Sequence, residues 1–128
     1  MISVHTLSVS EDGAFQLAGC ADGVQVGACT FRPEPHPLTG GAAYRLLDMA
    51  VRPESRGLGV GTLMLLSGED RVRRRFVSEV WLHAPEEAMA FYQKYGWSVA
   101  GEADVSAEQR ALMVKSLKPP VCGGGRQV

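Results

Sequence analysis

The sequence lacks an excess of charge of either sign. Its 13 lysine and arginine residues nearly balance 14 aspartate and glutamate residues, which gives the 128-residue chain a formal net charge of −1 at pH 7. Proteins that bind nucleic acid or anionic membranes usually present a basic surface, and this composition gives no sign of one. The sequence therefore predicts that neither nucleic acid nor a membrane is a partner.

The sequence also lacks a long hydrophobic run. No apolar stretch approaches the roughly 20 residues that a membrane-spanning helix needs, and residues 1–5 carry no basic start of a signal peptide. We therefore expect a cytosolic protein. Its length is typical of one domain that buries a core without disulfide or metal support, which we assign to residues 1–118. Residues 119–128, with two prolines and a glycine run, are expected to form a flexible tail.

Cysteine is scarce. The chain has three cysteines, an odd number without metal-ligand spacing, which favours a reducing compartment and no metal site. Cys20 and Cys29 lie on two apolar runs joined by Asp22-Gly23, a pair that favours a hairpin turn. Folded about that turn, the two cysteines would be offset by roughly 13 Å at the rise of a strand, too far for a disulfide. We expect Cys122, in the tail, to be an exposed thiol.

Glycine, by contrast, is concentrated in one loop. An apolar run at residues 46–51 predicts a strand, and Pro53 ends it because proline cannot continue a sheet ladder. Gly57, Gly59 and Gly61 follow, and a helix is predicted from Thr62 to about residue 75. A strand, a glycine loop and a helix N-terminus together bring backbone N–H groups and the positive end of the helix dipole to one place. This arrangement favours binding of a pyrophosphate.

The spacing of these glycines excludes two common nucleotide motifs. A P-loop needs a lysine and a hydroxyl residue after its last glycine, and Gly61 is followed by Thr62-Leu63. A dinucleotide fingerprint needs a third glycine where the chain has Thr62 or, in the other frame, Met64. The pattern that fits is R-x-x-G-x-G, with its arginine at Arg56.

The remaining pattern predicts strands at residues 79–84, 97–100 and 110–117 and a helix from Pro85 to Gly96. The proline-rich segment 32–43 is predicted to be a loop, either mobile or inert, with His36 solvated. Arginines 73–75 suit the C-terminal end of the first helix, where solvent is a more frequent neighbour than a ligand. Gly68, inside that helix, has no reason in the sequence.

Two motifs in series resemble the GNAT superfamily of N-acyltransferases. The first is the R-x-x-G-x-G loop, and the second is the helix ending Ala88-Met89-Ala90-Phe91-Tyr92-Gln93-Lys94-Tyr95-Gly96-Trp97, which is similar to the family's A-x-x-F-Y-x-K-x-G-F/Y. The resemblance covers residues 44–117. It implies an α/β (α+β) acyl-CoA N-acyltransferase fold: a mixed, mostly antiparallel sheet flanked by helices, whose central parallel strands, here 46–51 and 79–84, splay apart.

The resemblance implies acetyl-CoA as acyl donor, with no metal. Its pantetheine amides would pair with the backbone of Met49, Ala50 and Val51 as an added strand would. Its pyrophosphate would be held by backbone amides of the loop, contributed by Arg56, Gly57, Leu58, Gly59, Val60, Gly61 and Thr62.

The implied chemistry is direct attack of an amine on the acetyl thioester. By position, Tyr92 matches the family's general acid, which protonates the departing thiolate. Tyr95 lacks that alignment and is expected to pack. The general base is Asp48 or His83, and a water relay or an acceptor that arrives neutral remains open.

The chain departs from the family pattern in two ways. Pro85 stands where the family often has an asparagine that contacts the cofactor, and about a dozen residues before the hairpin leave no room for two helices that usually wall the acceptor pocket. The acceptor, a small-molecule amine or a protein amine, therefore stays open, and so does a non-catalytic CoA-binding or acyl-sensing role. An uncovered sheet would expose apolar surface, which predicts a homodimer covered by the first strand or the 32–43 loop of the partner copy.

Overall fold

The computed structural model describes residues 1–105 and 108–119. Within these residues the chain forms a seven-stranded sheet and two α-helices, in the order β1 Ile2–Val9, β2 Phe15–Ala21, β3 Val24–Pro33, β4 Tyr44–Val51, α1 Val60–Arg74, β5 Glu79–Pro85, α2 Met89–Lys94, β6 Ser98–Val105 and β7 Glu108–Ser116. None of the helices in this part of the chain is long and apolar enough to cross a membrane. From residue 120 on, the predicted tail and its Cys122 lie outside the described residues.

The sheet has the strand order β1-β2-β3-β4-β5-β7-β6. Neighbouring strands run antiparallel except β4 and β5, which are parallel and pair through Tyr44 with Val80 and Arg45 with Trp81. Beyond these pairs the two strands, both within the described residues, separate. The predicted mixed sheet with a splayed parallel centre is therefore confirmed.

Element boundaries differ from the prediction around the second helix. Pro85 has extended backbone angles and ends β5, where the sequence suggested the first residue of a helix. A short 3₁₀ turn at Glu86–Ala88 follows, so α2 itself spans six residues. β6 continues to Val105 because an irregularity between Val99 and Gly101 lets it stay paired with β7.

Helix α1 packs against β2 and β3 through a close approach at Gly68. Met64, Leu65 and Val72 are fully buried on this helix face. A Cβ atom at Gly68 would overlap the ring of Phe31, so only glycine lets α1 lie this near the sheet. The contact explains a residue that costs a helix interior about 1 kcal/mol relative to alanine.

Strand β4 contains a bulge. Asp48 and Met49 together lie opposite Cys29 of β3, and Asp48 has a φ of 54°. Strict alternation from the buried Leu46 would turn Asp48 towards the helices. The extra residue reverses the phase, so that Met49 and Val51 pack against the core and the carboxylate is left exposed.

The loop between β3 and β4 is packed. His36 is 6% exposed, so the prediction of a solvated histidine is wrong. Its Nδ1 accepts a hydrogen bond from the Leu38 N–H at 3.2 Å. Trp81 Nε1 donates to the Glu34 carbonyl at 3.1 Å, and Ala43 lies in the same small apolar cluster as Trp81. The loop therefore covers the face of β5 that points away from the helices.

Candidate active site

A cleft of about 280 Å³ opens where β4 and β5 separate. It brings together the three predicted catalytic side chains, Asp48, His83 and Tyr92, although they come from β4, β5 and α2. Its lining consists of Leu46, Asp48, Met49, Leu82, His83, Pro85, Ala88, Tyr92 and Arg110. The separation of β4 from β5 and the position of α2 thus bring these three side chains to one small space.

Tyr92 forms the inner wall of this cleft. The side chain is 5% exposed and packs between Phe91, at 5.1 Å between ring centroids, and Trp97, at 5.6 Å. Burial, with a smaller contribution from the Cys29 thiol, raises the pKa of Tyr92 to about 12. The phenol therefore holds its proton throughout the neutral range.

His83 is held in one tautomer by Arg45. Arg45 Nη2 lies 3.2 Å from His83 Nδ1, and because a guanidinium only donates, Nδ1 must accept and the ring proton is on Nε2. Burial, followed by the positive charges of Arg45 and Arg110, lowers the pKa of His83. Protonating the ring would set two N–H donors against each other, so the imidazole is a hydrogen-bond donor rather than a base in this arrangement.

Arg45 is itself fixed on several sides. Its Nη1 bonds Glu34 Oε2 at 3.3 Å, and its guanidinium lies over the Trp81 ring at 4.9 Å. Partial burial acts to raise the pKa of Glu34, but hydrogen bonds and charges from Arg32 and Arg45 lower it overall. The carboxylate of Glu34 thus balances the charge of Arg45.

The glycine loop presents an uncapped helix N-terminus. Gly59 is the residue before α1, with a φ of 90°, and no side chain caps the helix. The first bond of the helix runs from the Leu63 N–H to the Gly59 carbonyl at 3.0 Å, so the preceding N–H groups of Val60, Gly61 and Thr62 have no partner within the helix. This donor set suits the pyrophosphate that the glycine spacing favours, and the assignment of the loop to that group stays a prediction.

The end of β4, next to the glycine loop, is partly occupied by the Arg56 side chain. Arg56 Nε donates to the Val51 carbonyl at 3.3 Å, which ties the loop to the end of β4. Met49, which lines the cleft, and Ala50 lie on the stretch of β4 that has left β5. Of the three residues predicted to pair with pantetheine, Val51 therefore has a carbonyl that is already engaged.

A link between the loop and α2 was missed by the sequence reasoning. Thr62 Oγ1 donates to Tyr95 Oη at 2.9 Å, so the first turn of α1 is bonded to the residue that follows α2. Tyr95 lies three residues after Tyr92, and that spacing was the available signal. Arg45 and Arg110 were missed as well, because sheet register brings them to His83.

The arginines at the other end of α1 are structural. Arg73 and Arg74 form ion pairs with Asp70, and Arg75 bonds the Gly13 carbonyl and the Tyr44 hydroxyl. α1 has 15 residues, so these groups lie about 20 Å from the glycine loop at the rise of an α-helix.

Lowering the pH should destabilise the protein partly through His83. Its native pKa lies below the ordinary 6.5, so the unfolded chain binds a proton at this ring more readily than the native state does. The resulting stability is present above pH 6.5 and is lost as the pH falls below it. Thermal melts from about pH 7.5 to 5 should therefore show a smaller decrease for His83→Gln than for the wild type. His5→Gln, at an exposed histidine, is the control, and a decrease in H83Q equal to the wild type's would contradict the assignment.

Comparison with known proteins agrees with this geometry. The model of the acetyltransferase (GNAT) family matches residues 4–97, whereas no curated protein sequence matches. The structure is similar to an IAA acetyltransferase from Bacillus cereus, at 13% identity and a TM-score of 0.73 over 91% of this chain and all of that one. It is also similar to a GNAT family acetyltransferase from Elizabethkingia anophelis with acetyl-CoA bound, at 12% identity and a TM-score of 0.70 over 91% and 98% of the two chains.

A third similar structure is Arabidopsis thaliana Naa50 in complex with the bisubstrate analogue CoA-Ac-MVNAL. It shares 22% identity and a TM-score of 0.67 over 80% of this chain and 72% of that one. The structural similarity establishes the fold, and the family match extends over more than half of the sequence. The chain therefore belongs to the GNAT acetyltransferase family, which supports acetyl transfer as its class of activity.

Proposed function

We propose that this protein is an N-acetyltransferase that transfers the acetyl group of acetyl-CoA to an amine by direct attack within a ternary complex. The observation that carries the proposal is the cleft between β4 and β5, in which a buried phenol and a carboxylate line one small space beside an uncapped helix N-terminus. The Naa50 complex, whose analogue contains CoA, an acetyl group and a peptide sequence, supports an amine as the acceptor.

The glycine loop and β4 would hold the donor. Amides at the start of α1 bind the pyrophosphate, and backbone groups of Met49 and Ala50 bind the pantetheine arm, which directs the thioester towards Tyr92. Acetyl-CoA supplies an activated acyl group. Tyr92 supplies the proton for the departing sulfur, and burial, which keeps the phenol protonated, also increases the basicity of a thiolate beside it.

Asp48 is the better candidate for the general base. Its carboxylate lines the cleft at the bulge and is exposed to an incoming amine. His83 has its acceptor nitrogen engaged by Arg45, so its role is to donate a hydrogen bond from Nε2. We propose that Asp48 receives the ammonium group and removes a proton from it, with the exposed side of the cleft providing the exit for that proton.

A thiol-release assay with a panel of amines tests this function. Appearance of free CoA that depends on an amine is the expected result, and acetylated amine should form in equal amount. Stabilisation by acetyl-CoA without release for any amine would contradict catalysis and favour the CoA-binding or acyl-sensing role. The cytosolic location and the absence of a metal requirement stay predictions from the sequence.

We also propose that the protein is a homodimer. The reason differs from the uncovered apolar sheet surface on which the sequence-based prediction of a dimer depended. The 32–43 loop packs on its own Trp81, and the face of β1–β3 away from α1 carries mostly small and polar residues, among them Ser3, His5, Gln16, Ala18 and Thr30. An apolar face is therefore not the driving force. β1 is an edge strand of the described sheet, and pairing of two such edges would satisfy their backbone groups. Light scattering should show a dimer, and a monomer at tens of micromolar would contradict it.

A further inference from the structure

The cleft is lined by residues from both faces of the sheet. Leu46 and Leu82 belong to the core on the helix side, where Tyr92 lies. His83 is the next residue along β5 and points to the opposite face. Arg110 of β7 is paired with Pro85, which lies two residues beyond His83, so His83 and Arg110 share that face. An acceptor that enters from this side meets His83 and Arg110 before it reaches the position facing Tyr92.

Two arginines contribute positive charge on this side of the cleft. Arg45 is balanced by Glu34 and fixed over Trp81, so its guanidinium is committed to the protein. Arg110 lines the cleft, and its positive charge contributes to the lowered pKa of His83. Arg110 has an interaction within the chain as well, but a guanidinium has five N–H donors and can bind a ligand while keeping another partner.

A carboxylate residue lines the same cleft as Arg110. Asp48 lies on β4 and Arg110 on β7, and both line the cleft on either side of β5. Because β4 and β5 have separated here, the backbones of Asp48 and Arg110 lie further apart than the roughly 10 Å of two regular strand spacings, and the long arginine side chain closes part of that distance. The cleft therefore favours a ligand with a positively charged group beside Asp48 and a negatively charged group beside Arg110.

We propose that Arg110 forms an anion subsite and that the acceptor is a small amine with a carboxylate close to its amino group, as in a free amino acid. This inference rests on the proposed function. The amino group would lie at Asp48 and the carboxylate at Arg110, where charge-assisted hydrogen bonds orient the acceptor. A cleft of about 280 Å³ suits a ligand of this size.

The transfer step balances without a further reactant. The amine nitrogen forms a bond to the acetyl carbon as the carbon–sulfur bond breaks. The ammonium form of the acceptor first releases one proton to water through Asp48. As the neutral amine attacks, Asp48 takes a second proton from the nitrogen, and Tyr92 gives one proton to the sulfur. The products are an N-acetylated amino acid and free CoA, and exchange with water returns both side chains to their starting states.

Matched acceptor pairs test the subsite. Each pair consists of an amino acid and its carboxamide, which differ only in the charge at the carboxyl position. The wild type should acetylate the acid with a kcat/KM roughly 10- to 100-fold higher than the amide. Arg110→Gln should lower kcat/KM for the acid far more than for the amide and so remove most of this preference, and Arg110→Lys should restore part of it. Arg74→Gln, at the far end of α1, is the matched control and should retain the full preference.

A binding measurement keeps the test informative if turnover is absent. With CoA present, N-acetyl amino acids should raise the melting temperature of the wild type more than their amides do, and R110Q should lose that difference. Turnover without a carboxylate preference would overturn the subsite and leave the proposed function standing. Equal losses for acid and amide in R110Q would also overturn it, because they indicate a structural role. If no amine gives thiol release, the proposed function is contradicted. The difference in melting temperature between acid and amide would then decide the subsite.

Discussion

Tyr92→Phe should lower kcat by roughly 10²- to 10⁴-fold, while the affinity for acetyl-CoA stays near the wild-type value. The substitution keeps the aromatic ring that packs against Phe91 and Trp97 and removes only the hydroxyl. Without the phenolic proton, the sulfur must leave as a thiolate in a buried space, where its charge is poorly solvated. Steady-state kinetics together with a binding titration of acetyl-CoA measure the two quantities separately.

Tyr95→Phe is the matched comparison. Tyr95 accepts a hydrogen bond from Thr62 at the first turn of α1, so loss of its hydroxyl should act on the glycine loop rather than on the sulfur. We expect the KM for acetyl-CoA to rise roughly two- to tenfold, the effect of one hydrogen bond, with little change in kcat. Equal reductions of kcat in both variants would mean that packing of α2, and not proton donation, was measured.

Gly59→Val should abolish the increase in melting temperature that acetyl-CoA gives the wild type. Gly59 has a φ of 90° and lies immediately before the uncapped start of α1. A branched side chain there would stand between the ligand and the amides, and its Cβ would also meet Ile2 Cδ1 at 3.4 Å. Differential scanning fluorimetry with and without acetyl-CoA gives the result directly.

Gly23→Val controls for strain. Gly23 has a φ of 82° in the β2–β3 turn, and a Cβ there would meet nothing within 4 Å. Both variants should lose stability to a comparable extent, of order 1–3 kcal/mol, since valine is disfavoured at positive φ. Only G59V should lose the response to acetyl-CoA. An equal response to NAD or ATP in the wild type would contradict the assignment of the loop to CoA.

Local patterns made much of this fold predictable. The β2–β3 hairpin was expected at Asp22-Gly23 and is found there, because turn residues act over short distances. The glycine loop and the helix bearing Tyr92 were recognisable for the same reason, since each motif lies within about ten residues. The convergence of Asp48, His83 and Tyr92 on one cleft followed from the fold that those motifs implied.

Features that depend on register were not predictable. The run 46–51 has the pattern of a regular strand. Nothing in its composition shows that an extra residue at Asp48 changes which side chains of β4 point towards the core. The burial of His36 depends on a loop that folds over Trp81, 45 residues further along the chain. Arg110 enters the cleft because β7 pairs with β5 opposite Pro85, and that pairing is set by tertiary contacts.

The short parallel seam also has a consequence for amide hydrogen exchange. β4 and β5 share ladder bonds next to Tyr44 and Arg45 and then separate, so the half of the sheet built from β1–β4 and the half built from β5–β7 meet along a narrow joint. Such halves open as partly independent units when little holds them together. A ligand that bonds to both sides of the joint links their opening equilibria, because binding stabilises only the closed arrangement. Deuterium uptake on the diverging stretches of β4 and β5 thus reports how tightly a bound thioester arm joins the two halves.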